Sequence, residues 1–351
     1  MVRDGASGNA FVRGSTPTVA ADRRGRYGER TIVRSSPMNS GESFDQSLKY
    51  LLQHEPAAFI RFGLGDPTVE VIGPLPSGLP SRGRDVDGGY LIARGSVRMV
   101  AHVEFHRRHQ SLEELAVDVA EAQIRFFRRE RLEVRSQVWD LYGTLNEPVL
   151  EDRVLRIGGP PKGACSQSVY HLVNLRGLRW EELLSHGPPT LWPLVTLTGD
   201  GATEEVVVRA RDAIEGRKAW SSAERADHLA VLWFMAEAED VPTKVMKAYI
   251  SEGRLMESAL YRSIFEKGEA RGKTEGKAEA YAQTIIRILT QRMGALDPVT
   301  RERIRALSDV ETLAAWQEEA ILVLDAEAAR RLAEKIQKAP LPEIPQRADT
   351  P

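Results

Sequence analysis

The chain has 351 residues, 42% hydrophobic and 28% charged, with a net charge of −2 and an isoelectric point near 6.4. That length suits two domains with loose ends, and that apolar content can bury a core. The single cysteine, Cys165, excludes an intrachain disulfide and a multi-cysteine zinc site, and the balanced charge weighs mildly against nucleic acid.

Residues 1–38 read as a disordered basic tail, because Gly, Ser, Thr and Arg dominate and no hydrophobic period runs through them. Its arginines (Arg3, Arg13, Arg23, Arg24, Arg26, Arg30 and Arg34) outnumber Asp4, Asp22 and Glu29. It is either a basic arm for nucleic acid or a stretch ahead of a true start at Met38. Ser43 is the expected cap of a helix over 44–62, with Leu48, Leu51, Leu52, Phe59 and Ile60 at helical spacing and Pro56 dividing it in two. Residues 66–84 are rich in Pro and Gly and predict an edge strand at 69–72 followed by a loop.

Two strands follow, 86–93 and 97–105, separated by the short turn Arg94-Gly95-Ser96, which predicts a hairpin. A helix over 112–130 carries Leu112, Leu115, Val119 and Phe126 on one face, and 136–142 and 169–175 read as further strands. Hairpin, helix and strands together imply a mixed α/β sheet. From Trp180 the pattern turns helical, over 203–216, 222–238, 242–251, 256–294 and 298–338. The stretch EKGEARGKTEGKAEAYA is charged nearly all round, and Gly268, Gly272 and Gly276 weaken it as helix. The tail from Ala339 is Pro-rich and reads as disordered. The implied organisation is a tail (1–38), an α/β domain (39–190), a helical C-terminal region (191–338) and a second tail (339–351).

The chemistry concentrates at Asp87, Glu104 and His106. Side chains alternate along a strand, so Glu104 and His106 share a face while Phe105 points away. A paired strand can set Asp87 beside them, although Asp85 shares its strand face and is an alternative ligand. Two carboxylates plus a backbone carbonyl suit a hard cation such as Mg²⁺. Such a cation acidifies a water and neutralises a scissile phosphate, and a basic group two residues past the acid can orient or deprotonate that water.

The order acid, hairpin, acid-x-base resembles the PD-(D/E)XK nuclease signature. It is more closely similar to the Rpn family of recombination-promoting nucleases and transposases, in which an Asp follows an Arg-rich stretch and an apolar strand ends in Glu-Phe-Gln. Here the chain reads Arg84-Asp85-Val86-Asp87 and then His102-Val103-Glu104-Phe105-His106. The helix FDQSLKYLL, the segment Arg254-Leu255-Met256-Glu257 and the glycine-spaced run from Glu266 to Lys277 add to the likeness, which covers roughly residues 40–325. The resemblance implies a restriction-endonuclease-like mixed sheet flanked by helices, followed by an all-helical C-terminal region. It implies a metal-dependent DNA endonuclease using Mg²⁺ or Mn²⁺, with Asp87, Glu104 and the Phe105 backbone carbonyl as ligands, His106 as base, and Asp45 and Lys49 as further active-site residues. The chain departs from the family at His106, where Lys or Gln is usual, and at Gly88-Gly89, where bulky apolar residues are usual.

The competing reading is a catalytically inactive protein of the same fold, acting as a DNA-binding, regulatory or oligomerisation module. A third is a helical oligomerisation protein whose α/β part is only a scaffold. The expected partners are DNA, with weak sequence selectivity since no helix-turn-helix or zinc module is visible, and a second copy through the helical region. Gln123 on the following helix and Arg107, Arg108 and His109 after the site are candidate contacts. GEARGKT is one residue short of a phosphate loop and follows no strand, and the Gly158–Gly163 run reads as a loop. Trp192, Trp233 and Trp316 are assigned to the core rather than to base stacking. No signal core and no window of 18 apolar residues is present, so a soluble, cytoplasmic protein without membrane partners is expected.

Overall fold

The computed structural model describes residues 40–76, 86–106, 111–143, 147–157 and 166–339, all within one compact unit. The basic N-terminal tail, Asp85, Arg107, Arg108, His109, the 158–163 run, Cys165 and the C-terminal tail lie outside these residues. The chain is α/β. Six strands among the described residues form one mixed sheet in the order β1-β2-β3-β4-β6-β5, and the C-terminal region is mostly helical.

Pro56 divides the first helical segment as expected, giving α1 (Ser40–His54) and α2 (Pro56–Gly63) with the proline in the first turn, where its missing N–H is harmless. Ser43 is not the cap. The helix begins a turn earlier, and Ser43 lies inside it with its carbonyl accepting from Ser47 Oγ at 2.7 Å. β1 (Glu70–Pro74) is the edge strand, paired antiparallel with β2 (Gly88–Arg94). β2 turns through Gly95, at φ +59°, into β3 (Val97–Phe105) to complete the hairpin. α3 (Leu112–Glu130) opens with a Ser111–Glu114 capping box and crosses back to β4 (Val134–Asp140), which pairs parallel to β3. β6 (Ser166–Asn174) lies parallel to β4, and β5 (Leu150–Ile157) closes the far edge antiparallel to β6.

β5 has no counterpart in the sequence expectations. Its sequence LEDRVLRI places Leu150 and Val154 in solvent, so it lacks the apolar alternation of a strand buried on one face.

Strand alternation sorts neighbouring residues into two layers. Ala101, Val103, Phe105, Trp139 and Val173 face α1 and α2, against Leu48, Leu51, Leu52, Phe59 and Ile60. On the opposite face Val138, Tyr170 and Leu172 pack on Leu115, Ala116 and Val119 of α3, and Val100 packs on Ala122 and Phe126.

The first core does not stop at the sheet. It continues through α4 (Trp180–His186), the 3-10 segment Pro189–Leu197, α5 (Glu204–Gly216) and α6 (Ser222–Ala238) as far as Ile264. α6 is buried without a break from Ala226 to Ala236 and packs against α1, where Tyr50 donates to Asp227 at 2.6 Å. After α7 (Thr243–Tyr249) and α8 (Glu252–Met256), the 35-residue α9 (Ala259–Met293) runs from the first core to a second. That second core gathers Ile285 and Leu289 of α9 with α10 (Pro298–Ala306), α11 (Val310–Leu322) and α12 (Ala326–Lys338). The single helical piece expected over 298–338 is therefore three helices. Asp297, Asp309 and Asp325 cap them through backbone N–H groups three residues on.

Candidate functional site

Gly88 pairs with Val103, so the next residue outward on each hairpin strand sets Asp87 across from Glu104. Asp87 occupies a bend just ahead of β2, where strand alternation no longer governs it, and its side chain is 1% exposed. Oδ2 accepts from the Phe105 N–H at 2.9 Å, and Oδ1 lies 3.3 Å from Lys49 Nζ. Lys49 also pairs with Asp45 at 2.9 Å, one turn earlier on α1. The helix and hairpin thus bring Asp45, Lys49, Asp87 and Glu104 into one line of contacts.

Burial first, and then the charge of Glu104, push the Asp87 carboxyl up to about 7, although Lys49 and the Phe105 N–H act in the other direction. Burial lowers the Lys49 ammonium, but Asp87 and Asp45 outweigh it and hold the group above its ordinary value. Among the described residues, two acids therefore stand close enough to repel, and one lysine shared with a third acid only partly compensates.

The imidazole that meets Glu104 is not that of His106. His102, two residues earlier on the same face of β3, has Nε2 at 3.3 Å from Glu104 Oε2 and Nδ1 at 3.1 Å from Ser136 Oγ on β4. His106 lies just past the end of β3, with its N–H donating to the Trp139 carbonyl at 2.9 Å and its ring Nδ1 at 2.8 Å from Asp140 Oδ1. The Tyr142 N–H also donates to Asp140 Oδ1, at 3.0 Å. Burial alone would raise the Asp140 carboxyl, but the hydrogen bonds from His106 and Tyr142 hold it below its ordinary value. The α3 face of the sheet therefore carries two cross-strand pairs, His102–Ser136 and His106–Asp140, with Glu104 between them.

Among the described residues no group of three or more His, Cys, Asp and Glu side chains could hold a metal ion. The donor set here is a pair of carboxylates. With a backbone carbonyl and water, a pair is what Mg²⁺ takes, and the mutual repulsion of Asp87 and Glu104 fits a cation between them. Gln123 serves elsewhere: its side chain donates to the Val169 carbonyl at 2.7 Å and accepts from Ser168 Oγ at 2.8 Å, both on β6.

No protein-family model matches this chain, and neither a curated protein nor a solved structure is detectably similar to it. Among the described residues no helix is long and apolar enough to cross a membrane. Sequence reasoning missed His102, Ser136 and Asp140. The alternation along β3 put His102 on the face of Glu104, so it was within reach, but the partners on β4 depend on a register that no local pattern encodes.

Proposed function

We propose that the chain is a metal-dependent DNA endonuclease of PD-(D/E)XK type, hydrolysing phosphodiester bonds in a recombination or mobile-element setting. The observation that carries this reading is the placement of Asp87 and Glu104 across from each other at the open end of the β2–β3 hairpin, close enough for the charge of one to raise the other's carboxyl. Asp87, Glu104 and the Phe105 carbonyl are the groups that would hold Mg²⁺ or Mn²⁺. When bound, the ion supplies an acidified water and neutralises charge on the phosphate. Lys49, steadied by Asp45, keeps an ammonium at the site for an anionic substrate. Asp140 accepts from Nδ1 of His106 and holds in place the ring that this reading takes as the base. The mixed sheet with α1 and α2 on one face and α3 on the other is in keeping with a restriction-endonuclease-like fold. The exposed Ile321, Leu322 and Leu324 at the end of α11 are the place for self-association through the helical region.

The non-catalytic reading has one observation in its favour: Lys49 already neutralises part of the Asp87 charge. Nicking of supercoiled plasmid with Mg²⁺, Mn²⁺ or EDTA separates the two. Metal-dependent nicking by the wild type that disappears in Glu104→Ala is expected. A folded wild type that nicks with neither metal would move the assignment to a binding or regulatory protein.

A further inference from the structure

His102 is 1% exposed, too deep to meet a substrate, yet both ring nitrogens are engaged. A carboxylate oxygen only accepts, so Nε2 carries a proton toward Glu104 Oε2. In the neutral ring Nδ1 then accepts from the Ser136 hydroxyl, and a single tautomer satisfies every contact. The ring packs beside Phe126 of α3, centroids 5.6 Å apart, and His102 and Ser136 are direct partners in the parallel β3–β4 ladder. The imidazole is thus fixed from two sides before Glu104 is considered. The Asp87 N–H approaches the same Oε2 at 3.5 Å, whereas Glu104 Oε1 has no hydrogen-bond partner among the described residues.

We propose that His102, backed by Ser136, is a positioning residue that anchors Oε2 of Glu104 so that Oε1 is the oxygen presented to a divalent cation. This rests on the nuclease reading above. A glutamate has more rotamers than an aspartate, and holding one oxygen in place removes that freedom before the ion arrives. A histidine that merely fills the core would need its volume and its packing on Phe126, but not its Nε2 donor.

The test measures Mn²⁺ binding to the full chain by electron paramagnetic resonance, alongside melting in EDTA and plasmid nicking. His102→Phe keeps the aromatic packing and removes the donor. It is expected to bind Mn²⁺ about 10–100-fold more weakly while still folding, and His102→Gln, whose amide donates from a similar position, is expected to recover most of the affinity. A folded His102→Phe that binds Mn²⁺ as the wild type does would overturn the proposal and leave the nuclease reading standing. If the wild type neither binds Mn²⁺ nor nicks DNA, the nuclease reading fails and takes this role with it. Should His102→Phe not fold, Ser136→Ala replaces it, since it frees Nδ1 at little change in volume. Weaker Mn²⁺ binding is then expected, and unchanged binding overturns the proposal.

Discussion

Asp87 joins its proposed role as a metal ligand to a structural penalty. Its carboxyl titrates near 3.8 in an unfolded chain and is pushed to about 7 in the fold, by burial and then by Glu104. A group whose folded value lies above its unfolded value contributes stability that is complete below the unfolded value and is lost as pH rises through the folded one. Without metal, the fold should therefore lose stability on this account between pH 3.8 and about 7. Asp87→Asn imitates the neutral carboxyl. In EDTA at about pH 8 it should be more stable than the wild type by about 1–3 kcal/mol, with the difference closing below about pH 4, and it should abolish the proposed nicking. Identical melting curves at the higher pH would show that Asp87 ionises there without penalty. Asp140 has the opposite sign: its folded value is lowered, so its contribution is present above the ordinary carboxylate value and is lost as pH falls through the folded one.

At the scale of single elements, the same substitution changes sign with its surroundings. Close packing on both sides requires glycine at Gly88 and Gly89. A Cβ on Gly88 would lie 2.7 Å from Leu52 Cδ2 of α1, and one on Gly89 would lie 2.5 Å from Phe126 Cζ of α3. Helices on both faces of the sheet press closely on β2, and Phe126 is fully buried with little room to move. Gly89→Ala should destabilise by about 1–3 kcal/mol through overpacking. In α9, Cβ atoms on Gly272 and Gly276 would meet nothing within 4 Å. There Gly→Ala recovers helix propensity alone and should stabilise α9 by about 1 kcal/mol per site. Denaturant melts of the three variants decide this; a destabilising Gly272→Ala would reveal a neighbour that the isolated chain lacks.

For the whole molecule, the organising fact is that one helix, α9, joins its two largest hydrophobic cores. The first extends from Leu48 to Ile264 and holds the site, and the second from Ala278 to Ile336. Between them α9 has no buried residue from Phe265 to Lys277. A helix without a packed face is held mainly by its own hydrogen bonds, so little packing passes a disturbance from one core to the other. Leu313→Ala, which empties a fully buried position in the second core, should weaken that core by about 2–5 kcal/mol. Hydrogen exchange should accelerate in α10, α11 and α12 while the Mn²⁺ binding proposed at Glu104 stays unchanged. Parallel loss of both would mean that the cores fold as one cooperative unit.

Much of this architecture is written in short-range chemistry. The bounds of β3 and α3 match those expected, because alternation marks the strand and the single apolar face marks the helix. Pro56 divides α1 from α2 for an equally local reason. The sequence by itself thus determined the hairpin, the acids at its open end, and Asp45 and Lys49 one helical turn apart. The rest belongs to the tertiary structure. Ser136 lies 34 residues from His102, and Asp140 lies 34 from His106. They meet only because α3 returns the chain to lay β4 parallel to β3 in one register. A shift of one residue in that register would turn every β4 side chain to the opposite face. Which hydroxyl backs His102, and which carboxylate holds His106, was therefore decided by strand pairing across the crossover, where no local pattern reaches.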